Sequence, residues 1–147
     1  MNATVWQPTG DGEPSTSPEA GRAFRRVLLV DDAPTFRAVI VRNLASRGYA
    51  VREAGSAAEA LAALREERPD LLLLDIDLPD RTGWDVLREL GDTGRDVPTV
   101  VLSAVRVKPA RLAEFRPLAY LPKPFLIEAL LRLLAHGPVA GVALEEG

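Results

Sequence analysis

The sequence has no cysteine, a single histidine (His136), a single methionine and only 5% aromatic residues among its 147. Without thiols there are no disulfides, thiolate metal centres or cysteine nucleophiles, and one histidine cannot build a histidine-rich metal site. Positive charge is also short: 18 Lys and Arg against 21 Asp and Glu leave a formal charge of −3. Binders of nucleic acid normally carry a basic surplus, so direct nucleic-acid binding is not expected. No apolar run approaches the roughly 18 residues of a membrane-spanning helix, and Met1 to Gly21 has no basic start followed by an apolar stretch. Membrane insertion is therefore not expected, and a cytoplasmic protein is the default. What remains, 47% hydrophobic and 27% charged residues, suits one globular domain with an ordinary core.

The ends differ from the middle. Residues 1–23 hold Pro8, Gly10, Gly12, Pro14, Pro18 and Gly21 among small polar and acidic residues with no apolar period, and read as a disordered leader. Residues 137–147 read as a flexible tail, which leaves 24–136 as the domain.

Within the domain the organising stretch is Leu71-Leu72-Leu73-Leu74-Asp75-Ile76-Asp77-Leu78-Pro79. An unbroken apolar run stopped by Pro79 and Gly83 predicts a strand buried on both faces of a parallel sheet, with Asp75 at its carboxyl end. Similar short runs are Val27 to Val30, Val97 to Leu102 and Ala119 to Leu121, with a weaker Tyr49-Ala50-Val51 expected near an edge. Between them lie helical patterns. One starts at Pro34, with Phe36, Val39, Ile40 and Leu44 on one face, and stops at Gly48. Another follows Ser56, whose capping box with Glu59 precedes Leu61 and Leu64. A third runs from about Gly83 with Val86, Leu87 and Leu90; a short one lies between Pro109 and Pro117; the last runs from Phe125 to about Ala135 and includes Leu126. Five alternating strand–helix units predict an α/β fold: a doubly wound, five-stranded parallel sheet with helices on both faces.

In such a sheet the carboxyl ends of the strands share one edge, where ligands bind. That edge would collect Asp31, Asp32, Asp75, Ser103 and, just past the fifth strand, Lys123. Carboxylates about 4 Å apart in an effective dielectric of about 20 repel by about 4 kcal/mol per pair, so the cluster calls for a hard divalent cation. Cation, ammonium and hydroxyl around one carboxylate make a cradle for a phosphoryl group, with Asp75 as nucleophile.

These residues resemble the receiver domains of two-component response regulators: the pair Asp31-Asp32, Asp75 followed by Pro79 and Gly83, Ser103-Ala104, and Tyr120 three residues before Lys123-Pro124. The resemblance covers about Phe24 to Ala135 and implies the flavodoxin-like (βα)5 fold. It implies that Asp75 accepts a phosphoryl group from a sensor histidine kinase or histidine phosphotransfer protein, with Mg²⁺, or Mn²⁺ in its place, as cofactor. Asp32 would hold the metal directly and Asp31 mostly through water, with Asp75 and the backbone carbonyl of Asp77 completing the set. Ser103 would hydrogen-bond the phosphoryl group, Lys123 would pair with it, Ala104 would leave room for its approach, and Tyr120 would turn inward as Ser103 moves. The Lys123-Pro124 bond would be cis. The chemistry would be the domain's own phosphorylation and dephosphorylation, not turnover of a separate substrate.

Two features depart from the family pattern. The interval from Ser103 to Lys123 is short, and Arg116-Pro117-Leu118 replaces the usual glycine-containing turn before the fifth strand, so a short or distorted fourth helix is expected. Asp77 adds an acid two residues after the acceptor. Because the sequence stops soon after the last helix, a stand-alone receiver acting on an unknown downstream protein is expected. Arg106, Lys108, Arg111 and Arg116 form a basic cluster suited to an acidic partner, and a monomer is expected. Two alternatives remain open: a phosphate-independent, receiver-like binding module, and a haloacid-dehalogenase-like phosphatase starting at Asp75-Ile76-Asp77.

Overall fold

Alternation along each strand decides which layer every helix joins. The computed structural model describes residues 24–94 and 96–136; the expected leader, 1–23, and tail, 137–147, lie outside the described residues. The elements are β1 (Arg26–Val30), α1 (Pro34–Ala45), β2 (Ala50–Ala54), α2 (Ala57–Glu66), β3 (Leu71–Asp75), α3 (Gly83–Asp92), β4 (Thr99–Ser103), α4 (Pro109–Phe115), β5 (Ala119–Pro122) and α5 (Ile127–His136). All strand pairs are parallel and the order is β2-β1-β3-β4-β5. The central β3 is buried along its whole length, and the weak second strand lies at an edge as its composition predicts.

Val27, Leu29, Leu71, Leu73, Val100 and Leu102 project to one face, where they pack with Ile40 and Leu44 of α1 and Leu130, Leu131, Leu133 and Leu134 of α5. Leu28, Val30, Leu72 and Leu74 project to the other, against Ala57, Ala60, Leu61 and Leu64 of α2 and Val86 and Leu90 of α3. The period of two in the strands thus builds two apolar layers, as expected for right-handed crossovers.

Local signals set the helix starts. Pro34 opens α1, where its missing N–H costs nothing. Ser56 caps α2 by accepting the Glu59 N–H, but the expected reciprocal half of the box is displaced: the Glu59 carboxylate takes the Gly55 N–H at 2.7 Å. The full box is on α3, where Thr82 and Asp85 cap each other. Val39 and Leu126, expected on inward faces, are 50% and 72% exposed. In α1 the buried stripe is Ile40 and Leu44 with Phe36 and Val41 partly covered, so Val39 falls off its edge. Leu126 precedes α5, which begins at Ile127, two residues later than its apolar pattern predicts.

The departures around α4 have a visible cause. This helix has seven residues and buries none of them. Arg116 caps it in the left-handed conformation (φ 50°), its N–H donating to Leu112 O at 2.8 Å. In place of the glycine-containing turn that the resemblance implies, this chain puts an arginine in a backbone region that costs a residue with a Cβ about 1–2 kcal/mol. Pro117 then bars any continuation of the helix.

Candidate functional site

The carboxyl edge of β1, β3, β4 and β5 brings the expected groups together. Asp31 directly follows β1 and is fully buried; its N–H donates to Ala54 O of β2, which pins it to the sheet. Its Oδ1 accepts the Ala33 N–H at 2.9 Å, and its Oδ2 accepts from Lys123 Nζ at 2.6 Å. Asp32, the next residue, faces solvent. Asp75 closes β3 at 4% exposure, with Oδ1 accepting the Asp77 N–H at 3.1 Å and Oδ2 3.4 Å from Lys123 Nζ. One carboxylate oxygen from each of Asp31, Asp32 and Asp75 lies within 4.8 Å of the others.

Burial of Asp75 pushes its carboxyl up to about 6; the Asp77 N–H and the Lys123 ammonium oppose that rise, and the negative charge of Asp31 adds to it. For Lys123, burial alone would lower the ammonium, but the Asp31 hydrogen bond and the charges of Asp75 and Asp31 outweigh it and hold it above its ordinary value. One ammonium thus pairs with two carboxylates, Asp31 and Asp75, of a three-carboxylate cluster, which leaves the cluster with more negative than positive charge. An all-oxygen donor set with one solvent-facing member fits a hard divalent ion such as Mg²⁺ or Mn²⁺.

The backbone behind Asp75 leaves no slack. Gly83 N–H donates to Ile76 O at 2.8 Å, and a Cβ at Gly83 would stand 2.7 Å from the Asp75 carbonyl oxygen. Asp77 forms an isolated bridge with Thr82, which folds the loop after β3 back on itself; its side chain is exposed. Asp80, further along that loop, accepts the Ala57 and Ala58 N–H groups at the start of α2 (2.9 and 3.0 Å), and these bonds hold its carboxyl below the usual range.

On β4, Ser103 is 4% exposed and its hydroxyl is committed to the following loop: it donates to Val105 O at 2.7 Å and accepts the Val105 N–H at 3.0 Å. Ala104 is exposed beside it, with no bulk over the approach to Asp75. Tyr120 is already buried, packed with Trp84 and Val101, and its hydroxyl lies 3.5 Å from the same Val105 carbonyl, the outer limit of a hydrogen bond. Lys123 N–H donates to Ser103 O, and the Lys123–Pro124 peptide is cis.

Asp31, Asp32, Asp75, Ser103 and Lys123 therefore gather at this edge and Asp77 in the loop beyond it, whereas Tyr120 lies deeper, beside Val101 within the sheet. The basic cluster lies along the loop into α4, on that helix and at its end. Arg106, Lys108 and Arg116 are exposed, whereas Arg111 pairs with Glu114 and lies over Trp84. Three groups at the site were not read from the sequence. Arg37 anchors the loop after β1 by donating to Asp31 O (2.6 Å) and Glu53 (2.9 Å). Asp80 ties the loop after β3 to α2. Phe36, assigned only to the apolar face of α1, has its ring centroid 4.4 Å from Lys123 Nζ. Only the interval from Asp31 to Arg37 is local enough to have served as a signal; the others depend on partners far along the chain.

An open, five-stranded α/β sheet with an acid cluster and a lysine at its carboxyl edge defines the receiver class of signalling domains. The chain belongs to the response regulator receiver domain family, whose family model matches residues 27–135. It is 42% identical over 108 residues to "Response regulator MprA" of Mycobacterium avium (strain 104), covering 72% of this chain and 47% of that protein. The chain thus spans about half the length of the curated relatives it matches. Among solved structures it is similar to a CheY-like receiver domain protein from Methanospirillum hungatei JF-1 (27% identity, TM-score 0.69, 74% of this chain and 89% of that one). It is also similar to the response regulator TrrA from Thermotoga maritima in complex with Mg²⁺ and BeF (29% identity, TM-score 0.66, 74% and 94%). Receiver domains of response regulators are a phosphoacceptor family, and the Asp75-Ile76-Asp77 phosphatase alternative falls with this assignment: the motif starts at the carboxyl end of the central third strand of a receiver sheet. No helix among the described residues is long and apolar enough to cross a membrane.

Proposed function

We propose that Asp75 is the phosphoacceptor of a cytoplasmic two-component signalling protein. The observation that carries this is the placement of a buried, solvent-starved carboxylate within reach of Lys123 and 4.8 Å of the Asp31 and Asp32 oxygens. The Asp75 oxygen facing Lys123 attacks the phosphorus of a phosphohistidine on a sensor kinase or phosphotransfer protein. The new O–P bond replaces the N–P bond, whose electron pair stays on the imidazole nitrogen. Asp31, Asp32, Asp75 and the Asp77 carbonyl would hold Mg²⁺, and that ion supplies the charge that neutralises the phosphoryl oxygens. The related TrrA structure, with Mg²⁺ and BeF, supports that choice of ion.

This chain's own residues do the rest. Lys123 lies on the side of Asp75 where a phosphoryl group would grow and pairs with its oxygens. Ser103 turns its proton from Val105 O to the phosphoryl group, which frees that carbonyl for the Tyr120 hydroxyl and couples the site to the loop into α4. The protein acts by docking a downstream partner in one of these two states, and its chemistry is confined to gain and loss of its own phosphoryl group. A phosphate-independent module would have no need of the full set of acids, hydroxyl and ammonium.

Incubation with acetyl phosphate and Mg²⁺ is expected to add one phosphoryl group by intact-mass measurement, and Asp75→Asn to abolish it. Labelling that persists in Asp75→Asn would place the acceptor elsewhere.

A further inference from the structure

The Lys123 ammonium has three protons and, in the folded protein, three neighbours: Asp31 at 2.6 Å, Asp75 at 3.4 Å and the ring of Phe36 at 4.4 Å. The first two also belong, with Asp32, to the acid cluster that could hold a divalent ion, so a cation that draws on Asp31, directly or through water, competes with the ammonium for its shorter hydrogen bond. The aromatic face does not compete, because a ring offers no ligand atom to Mg²⁺ but attracts an ammonium through its quadrupole. Phe36 is itself held in place: it lies in the first turn of α1 and meets Phe125 edge-on, with centroids 5.9 Å apart and planes at 86°. Phe125 follows Lys123 by two residues across Pro124, so one short segment supplies both the ammonium and the edge that orients the ring beneath it. Lys123 is 19% exposed at its side chain, which leaves little water to substitute for a lost neighbour.

The geometry points to Phe36 as a positioning residue for the phosphoryl-transfer reaction: its ring keeps the Lys123 ammonium beside Asp75 when Asp31 turns to a cation. This rests on Asp75 being the phosphoacceptor. Phe36 offers no ligand atom to a cation and reaches the site through its ring over Lys123 Nζ. Phe36→Leu keeps an apolar side chain of similar reach and removes the quadrupole; Phe36→Tyr keeps an aromatic face.

The test has two arms. In the metal-free wild-type protein, the Lys123 ε-methylene protons are expected to be shifted upfield by the ring and to show nuclear Overhauser contacts with the Phe36 ring. The shift should vanish in Phe36→Leu and persist in Phe36→Tyr. With Mg²⁺ and acetyl phosphate, Phe36→Leu should take up phosphate about three- to tenfold more slowly, with Phe36→Tyr near wild type. Unshifted Lys123 resonances in wild type, or equal rates in wild type and Phe36→Leu, would overturn the inference; so would equal slowing in Leu and Tyr variants, which would mark a packing role only. If the wild-type protein takes up no phosphate, the phosphoacceptor reading fails, while the resonance arm still decides where the ring holds Lys123. The wild-type measurement needs no variant to fold.

Discussion

At the scale of single residues, the most consequential feature is the Asp75 carboxylate, buried beside a second acid with a single ammonium between them. The folded protein holds the Asp75 proton up to about pH 6, whereas a carboxyl with the ordinary value of 3.8 releases it earlier. Over that window the native state binds more protons than the unfolded chain, so stability falls as pH rises through it and the Asp75 contribution is favourable only at the acid end. Asp75→Asn stays neutral throughout. In chelator, its stability advantage over wild type should therefore grow as pH rises from about 4 to 6, reaching on the order of 2–3 kcal/mol; urea denaturation at several pH values measures it. A pH-independent advantage would mean that Asp75 is not strained by burial. Adding Mg²⁺ should shrink the gap by stabilising the wild-type carboxylate. The acids, Ser103 and Lys123 were legible in the sequence because each stands at or just past the end of an apolar run, so their shared edge follows from topology. The pairing of Lys123 with Asp31, 92 positions away, and its seat on Phe36 were not, because ring orientation depends on the packing of α1 against the segment before α5.

At the scale of elements, α4 is the exception to the rule that burial fixes a helix. It buries no residue, yet it is attached through a stack: Trp84 of α3 lies against Phe115 with centroids 5.1 Å apart and planes at 21°, Arg88 lies 5.3 Å from Phe115, and Arg111 lies 5.9 Å from Trp84. Aromatic pairs add about 0.5–1.5 kcal/mol beyond area burial, enough to dock seven residues but little of the global stability. Phe115→Ala should accordingly raise amide exchange across Pro109 to Phe115 and alter Trp84 fluorescence, while the midpoint of global unfolding moves little. Unchanged exchange in α4 would show that the stack does not hold it. The other elements were readable because strand runs and caps are local; β3 and α3 begin within a residue of where the sequence placed them. α4 was hard to read because its partners lie on α3 and its end depends on Arg116 adopting a left-handed backbone, which no propensity favours. Val39 and Leu126 were misassigned because apolar residues at the rim of a stripe satisfy helical spacing without reaching the sheet.

At the scale of the whole molecule, the question is which surface carries the signal outward. The loop from Ser103 into α4 is the segment most directly coupled to the site, since Val105 O receives the Ser103 hydroxyl and lies near that of Tyr120. Around it stand Arg106, Lys108 and Arg116, all exposed, on a chain whose formal charge is −3. Val105, 62% exposed, adds a large exposed hydrophobic side chain to this loop. A two-fold dimer through this face would set the same arginines and lysine against their copies, and self-complementary interfaces cannot escape that pairing. Like charges facing one another cost affinity and slow encounter, while an acidic partner gains on both counts. The protein is therefore expected to remain monomeric with and without beryllofluoride and Mg²⁺ at micromolar concentration, as measured by light scattering, and its encounter with an acidic partner should weaken as salt rises. Replacing Arg106 and Lys108 with glutamate should remove that salt dependence without affecting phosphoryl uptake at Asp75. Beryllofluoride-dependent dimerisation that these substitutions abolish would overturn the expectation, because it would show the basic face pairing with a second copy of itself.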